Sequence, residues 1–566
     1  MDIRIGSRSQ PETEVLIVKR KVIAIGLDSA PRELLSEWMA NGHLPNLKRL
    51  RGQGGWADLK GVPFGVAEAS WTVLWTGCHA RTHGYWSQLD YLPERYGAAW
   101  HYTYDYQEFP PFYALGPSRR VCAFDIPQVQ LSDAVNGYQV LAYGAHSPQT
   151  ARVSRPADLL DRVIEQHGDH PAILNDFARI WRADSLKSLH KRLVTGAERR
   201  GAICRDLLRE DDWDLFLTVF GEVHSGGHHF WHLNQPDHPW YQYPASIKED
   251  LMLDTARAVD RAVGTVLDAA DENTAVVAFS QEGLAPNNLD IPSMAFLPEL
   301  LYRMNFPGKT CLDGTASPTN APVPPEIRFP ISLGWTRDIW ARRSDDSALR
   351  RVLRHALPME MAQKVLRVIG DDPDGLDYPK NHDCYIQVPL WYSKFWPQMK
   401  AFALPSFGDG YVRLNLKGRE PNGIVHPDDY DAVCDEVAEA ILALRNPRTG
   451  RPLAADVIRP RSGPFEDDAK AHPADLGVLW HAEPADIAEH PRHGRIGPFP
   501  HRRSGGHNDH AFMIVRAPGI APGSNLADGH TVDVSATILD LMGLPLTGNR
   551  DGRSLLPRHV TSSVVA

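Results

Sequence analysis

No run of about 18 consecutive apolar residues occurs in the 566-residue chain, so no membrane-spanning helix is expected. The opening stretch, MDIRIGSRSQPETEV, lacks the apolar core of a secretory leader. Cysteine is scarce. The six residues, Cys78, Cys122, Cys204, Cys311, Cys384 and Cys434, are scattered without a C-x-x-C pair, which argues against a disulfide framework and against a zinc ribbon. A cytoplasmic protein with no membrane partner is the expectation. Positive charge is also in deficit. Sixty Lys and Arg stand against 70 Asp and Glu, a net charge of −10, which disfavours a nucleic-acid partner. A local basic cleft for a small anionic organic substrate remains compatible with that balance. There is no internal repeat and no low-complexity tract.

What is present is an alternation of short apolar runs and amphipathic stretches. VIAIGL (from Val22), VCAF (from Val121), WDLFLTVF (from Trp213) and AVVAFS (from Ala275) read as buried strands. PRELLSEWMANG and DTARAVDRAVGTVLDAAD read as helices between them, and SWTVLWT at Ser70–Thr76 as a buried helix. Strands alternating with helices predict an α/β fold, a mostly parallel sheet with helices on both faces. The alternation lapses between Leu284 and Lys400, a stretch rich in Pro, Trp and Arg. The expected organisation is therefore a first core part at 1–283, an inserted cap at 284–400 and a second core part at 401–566. Trp335, Trp340, Trp391, Trp396, Arg342 and Arg343 of the cap are candidates for holding an organic anion.

Ligands of open α/β sheets bind outside the carboxyl ends of the strands. Several strand exits here carry groups that suit a metal or acid–base chemistry. They are Asp28, then Glu222 with His224 and His228, then Gln281 with Glu282, and later His507 in SGGHNDH. The segment FGEVHSGGHHFWH packs four histidines into thirteen residues. On a helix, the i, i+4 spacing of His224 and His228 places both imidazoles on one face, able to share one ion. His229 and His232 have no such partner and read as structural or substrate-facing.

Several pieces of the chain resemble the alkaline phosphatase superfamily in its type I phosphodiesterase and nucleotide pyrophosphatase branch. They include VIAIGLDSA, LPNLKRLRGQGG, SWTVLWTGCHARTHGYW, YVRLNLKGREPNGIV, RSGGHNDHAFMIVRAPGIAPG and VDVSATILDLMGLPLTGNRDGRSLL. The resemblance implies an alkaline phosphatase-like core with two metal ions at the strand ends and a Thr or Ser nucleophile. Asp28 matches the family's first-strand Asp, His228 the His of its Asp-x-x-x-His pair, and His507 its late His. Three positions depart. His224 stands where that pair has Asp, Gln281 and Glu282 stand where the family has an Asp-His pair, and the nucleophile position falls on Ala67.

An alanine cannot form a covalent intermediate. Ser70 lies a helical turn further on, and Glu68 is a candidate ligand or base. Three imidazoles suit Zn or Fe better than Mg or Ca. The expectation is one divalent transition metal on His224, His228 and His507, with Asp28 and Glu282 as nearby ligands or bases, Glu222 as a further base, and no firm second ion. One of the close carboxylates Asp28 and Glu282 is expected to have a raised pKa. The implied activity is hydrolysis of a phosphate or related ester through metal-bound water. The alternatives are non-hydrolytic chemistry at a three-histidine metal, or a non-catalytic ligand-binding descendant.

Overall fold

The computed structural model describes residues 20–557, apart from 63–67, 145, 147–149, 174, 313–320, 328–334, 341, 344–347, 467 and most of 358–386. Val22–Leu27, Leu215–Phe220 and Ala275–Ser280 are strands in which every residue is buried. That explains their largely apolar composition, broken only by Thr218 and Ser280, since both faces of a parallel sheet are covered. Val22–Leu27 lies between the other two and pairs parallel with both. Gly116–Phe124 and Val135–Leu141 extend the parallel part beyond Leu215–Phe220, and the short Val153–Arg155 closes that edge antiparallel. On the other side, His510–Arg516 runs antiparallel between Ala275–Ser280 and Gly55–Lys60.

Alternate residues of each strand serve opposite layers. Ile23, Ile25 and Leu27 pack with helices Arg32–Ala40, Pro45–Gln53, Ala183–Glu210 and Leu251–Leu267. Val22 and Ala24 pack with helices Ser70–Thr76 and Asp533–Leu541. The expected α/β fold, with a mostly parallel sheet and helices on both faces, is the fold found.

The inserted part is longer than the 284–400 cap of the sequence reading. Strands Ala401–Leu404, Gly410–Leu414, Leu476–Trp480 and Ala454–Ile458 form an antiparallel sheet of their own. Their core is continuous with Leu289, Trp335, Trp391, Trp396 and Phe499. The chain leaves the large sheet through Gly283–Pro286 and returns through Gly505–Asn508, and these two segments pair with each other. Residues between about 401 and 500 looked like core to the sequence reading because strand–helix order resumes there, but a second sheet has the same local pattern. Trp335, Trp391 and Trp396 are interior packing of this lobe, and Arg343 is fully buried. The side chain of Trp340 lies outside the described residues. Among the described residues, no helix is long and apolar enough to cross a membrane.

Two motifs that carried the resemblance are structural. In TG-x-x-x-x-x-HG, Gly77 ends its helix at φ +66°, and the backbone N–H of His79 and the Thr82 hydroxyl both donate to Asp551. In NLKGREP, Asn415 accepts from the Tyr96 hydroxyl, Glu420 from Tyr91 and Arg413, and Arg419 donates to Asp475. The Tyr contacts tie the inserted lobe to the Leu89–Leu92 and Gly97–Trp100 strands.

Candidate metal centre

Helix Glu222–Asn234 starts directly after the Leu215–Phe220 strand, and every residue from Glu222 to Leu233 is buried. Burying imidazoles without partners is costly, so each must be accounted for. His224 and His228 do share one face, with their Nε2 atoms 2.9 Å apart. A third imidazole, His146, stacks beside them at ring-centre distances of 4.0 Å and 5.2 Å. The ligand atoms of these three residues all lie within 4.8 Å of one another. His507, opposite Leu284 where Gly505–Asn508 pairs with Gly283–Pro286, stands 4.8 Å and 4.9 Å from the rings of His224 and His228.

The Nδ1 side of three of the rings is anchored. His224 Nδ1 meets Asp28 Oδ2 at 2.8 Å, and His228 Nδ1 meets the Gly505 carbonyl at 2.9 Å. His146 Nδ1 pairs with Asp176 and lies 2.8 Å from Ser225 Oγ. His507 Nδ1 is 3.0 Å from Glu282 Oε1. For His224, His228 and His146 the acceptor selects the tautomer with its proton on Nδ1 and leaves Nε2 as the donor atom. This is the arrangement in which outer carboxylates and carbonyls orient metal-binding histidines. The donor set therefore fits a metal. Burial pushes the His224 imidazole down to about 4 against the pull of Asp28, and burial with the neighbouring Arg503 charge pushes His228 well down. Both are neutral at pH 7, as a ligand must be.

Gly505 makes the anchor on His228 possible. A Cβ there would lie 2.2 Å from the Gly227 carbonyl oxygen. Gly505→Ala is expected to push the Gly505–Asn508 segment off the helix, costing about 1–3 kcal/mol and weakening metal retention. Urea unfolding and metal analysis on one preparation check this; an unchanged midpoint with full metal would refute it.

Behind the imidazoles, Asp28 and Glu282 are joined by two donors. Ser29 is held at φ +47° in the left-handed region. Its Oγ lies 2.9 Å from Glu282 Oε1 and 3.2 Å from Asp28 Oδ1. Gln281 Nε2 donates to Asp28 Oδ1 at 2.6 Å and lies 3.3 Å from Glu282 Oε1. The expected raised pKa is not found. Burial alone would raise both carboxyls, but His224, His146 and Gln281 bring Asp28 down to about 2, and His507 with His224 lowers Glu282. Bridging donors and flanking imidazoles relieve the repulsion that the sequence reading counted on.

Two expected residues lie elsewhere. Glu222 Oε1 pairs with Arg200 Nε at 3.0 Å and His170 Nε2 at 3.1 Å, in a fully buried network with Asp125. Burial opposes its ionisation, but Arg200 outweighs burial and keeps it low. Its Oε1 is held by Arg200 and His170. Glu68 Oε1 accepts from Ser406 Oγ at 2.8 Å and the Phe407 N–H at 2.6 Å, so it ties the inserted lobe to the large sheet. Burial raises its pKa. Ala67 lies outside the described residues, and Ser70 opens its helix as a buried residue. His229 packs edge-on against Phe177 at 5.6 Å, and His232 Nδ1 meets Ser504 Oγ at 2.8 Å.

Sequence reasoning missed His146, Asp176, Ser29, Asp290 and Arg503. His146 sits in irregular chain after the Val135–Leu141 strand, in no motif. The one usable signal was its place beyond the carboxyl end of a parallel strand.

An α/β sheet with imidazoles clustered at its strand ends is an arrangement that could hold a metal ion. The family model of type I phosphodiesterase / nucleotide pyrophosphatase matches residues 22–321, more than half of the chain. The chain belongs to that family. No curated protein matches it in sequence. Among solved structures it is similar to phosphonoacetate hydrolase from Sinorhizobium meliloti 1021 in complex with phosphonoformate. Identity there is 12%, coverage is 93% of this chain and 96% of that one, and the TM-score is 0.47. It is also similar to murine ectonucleotide pyrophosphatase / phosphodiesterase 5, an inactive form in complex with AMP. There the identity is 11%, coverage is 97% and 100%, and the TM-score is 0.46.

Proposed function

We propose that this chain is a metal-dependent hydrolase of small phosphate or related anionic esters that works without a side-chain nucleophile. The observation that carries the reading is the cluster of His146, His224 and His228, each with Nδ1 turned to an acceptor and Nε2 to the cluster, in a chain of a phosphodiesterase family. His146, His224 and His228 would hold one divalent transition ion, zinc or iron by donor chemistry. When bound, such an ion supplies Lewis acidity and lowers the pKa of water.

The chain's own residues divide the remaining work. Asp28 and Asp176 fix the tautomers of His224 and His146. A second ion has no part in this reading, because the Gln281 amide lies between Asp28 and Glu282 where the resemblance implies a dication. Glu282, ionised and flanked by His507, accepts the proton of the attacking water. Glu282→Gln is expected to lower kcat by roughly 10²–10⁴-fold and to leave the metal bound. Loss of the ion in that variant would make Glu282 a ligand; unchanged turnover would remove it from the reaction.

The reading is tested with nitrophenyl phosphate mono- and diesters on protein purified without chelator. Turnover with a stoichiometric transition metal, and an unmodified intact mass during turnover, support it. A stoichiometric covalent adduct would overturn the water-attack route. An empty centre would favour the ligand-binding descendant. The all-nitrogen donor set also suits a redox-active iron, which favours a non-hydrolytic second reading. Substrate-dependent dioxygen uptake selects that reading, and anaerobic hydrolysis rejects it. A cytoplasmic location belongs to the same proposal, supported by the buried thiols of Cys78, Cys122, Cys204 and Cys434.

A further inference from the structure

Arg503 lies just before the Gly505–Asn508 segment and is 7% exposed. Asp290 grips one edge of its guanidinium, with Nε to Oδ2 and Nη2 to Oδ1 both at 2.9 Å. Asp290 is held in turn by Asn287 Nδ2 at 3.0 Å, and the same amide nitrogen lies 3.1 Å from the Arg503 carbonyl. This bidentate clamp satisfies the arginine's structural needs and fixes the plane of the fork. The remaining nitrogen, Nη1, projects past the clamp into the imidazole cluster. It lies 2.7 Å from His228 Nε2 and 3.3 Å from His228 Nδ1.

Those two contacts compete with neighbouring groups. His228 Nδ1 already faces the Gly505 carbonyl, so its proton points there and it offers Arg503 no lone pair. His228 Nε2 has one lone pair, and an ion held by His228 would take it. Nη1 would then be a charged, buried donor without an acceptor, beside a cation. Leaving such a donor unmet is unfavourable, because the buried charge loses its solvation without a compensating hydrogen bond. An anionic oxygen resting between ion and guanidinium removes that cost and screens the two positive charges from each other.

We propose that Arg503 is the oxyanion-binding residue of this site: Nη1 passes from His228 to a non-bridging oxygen of the substrate's phosphoryl or related group. The inference rests on the proposed reading of the histidine centre. It adds that the substrate carries a tetrahedral oxyanion, recognised by one charged donor aimed into the imidazole cluster. A neutral ester or amide would leave Nη1 without a charged partner and would bind poorly.

The test uses full-length, metal-loaded protein with inorganic phosphate as the probe. Phosphate is titrated calorimetrically into wild type, Arg503→Met and Arg503→Lys, with metal content measured on each sample. Wild type is expected to bind phosphate. Arg503→Met is expected to bind it roughly 30- to 100-fold more weakly, the loss of one charge-assisted hydrogen bond, at unchanged metal content. Arg503→Lys retains the charge but not the fork, so it falls between them, and it decides the matter if the methionine variant does not fold. Equal phosphate affinity in wild type and variants overturns the proposal, as does wild type that holds metal but not phosphate. Metal loss in the folded variants also overturns it, because Arg503 would then position His228 and not bind the anion. Wild type without metal defeats the underlying reading itself.

Discussion

His146→Ala is expected to strip the metal from the centre, while His507→Ala keeps it. The contrast follows from geometry. His146, His224 and His228 bring ligand atoms within 4.8 Å of one another, a set that His507 does not join. Removing one of three ligands leaves two imidazoles, too few for a stable site of a transition ion. Asp176→Asn, which disturbs only the anchor of His146, is expected to weaken metal affinity by about 10–100-fold. Elemental analysis after dialysis against a weak chelator reads all three variants. Full metal in His146→Ala with an empty His507→Ala would reverse the assignment and restore the ligand set expected from sequence.

The second large effect is loss of the fold in mild acid. Burial holds the imidazoles of His83, His229 and His472 at about 3 and that of His232 at about 4, against an ordinary value of 6.5. A histidine whose folded pKa lies below its unfolded value takes up its proton more readily when unfolded. The stability it allows is complete above about pH 6.5 and falls as the pH drops towards the folded value. Each such residue removes about 1.4 kcal/mol per pH unit in that window. Four of them would remove on the order of 8 kcal/mol by pH 5, comparable with the whole stability of an ordinary fold. Near-UV circular dichroism against pH is expected to show cooperative unfolding centred near pH 5. Native signal persisting to pH 4 would show that these histidines are wetter, or more easily relaxed, than their burial implies.

Much of the fold was legible because a parallel sheet leaves an unambiguous trace. Val22–Leu27, Leu215–Phe220 and Ala275–Ser280 are short and mostly apolar, and each ends at or beside the centre. Helical spacing placed His224 and His228 on one face, as found. The rest depended on tertiary approach. His146 is brought in by chain without periodicity, and Arg503 acquires meaning only through the clamp by Asp290. Glu222 shows the opposite failure. Its strand-end position looked catalytic, but Arg200, distant in sequence, takes its charge. The inserted lobe was cut short for a similar reason, since a second antiparallel sheet and a return to the first look alike locally.

The most direct test of the centre is a crystal structure of the metal-loaded protein with anomalous data collected at the absorption edge of the bound element. The account predicts one ion bonded to Nε2 of His146, His224 and His228 at about 2.0–2.1 Å, with Asp28 on Nδ1 of His224 and Gln281 between Asp28 and Glu282. An ion bonded to Asp28 and Glu282, or to His507 in place of His146, would contradict it.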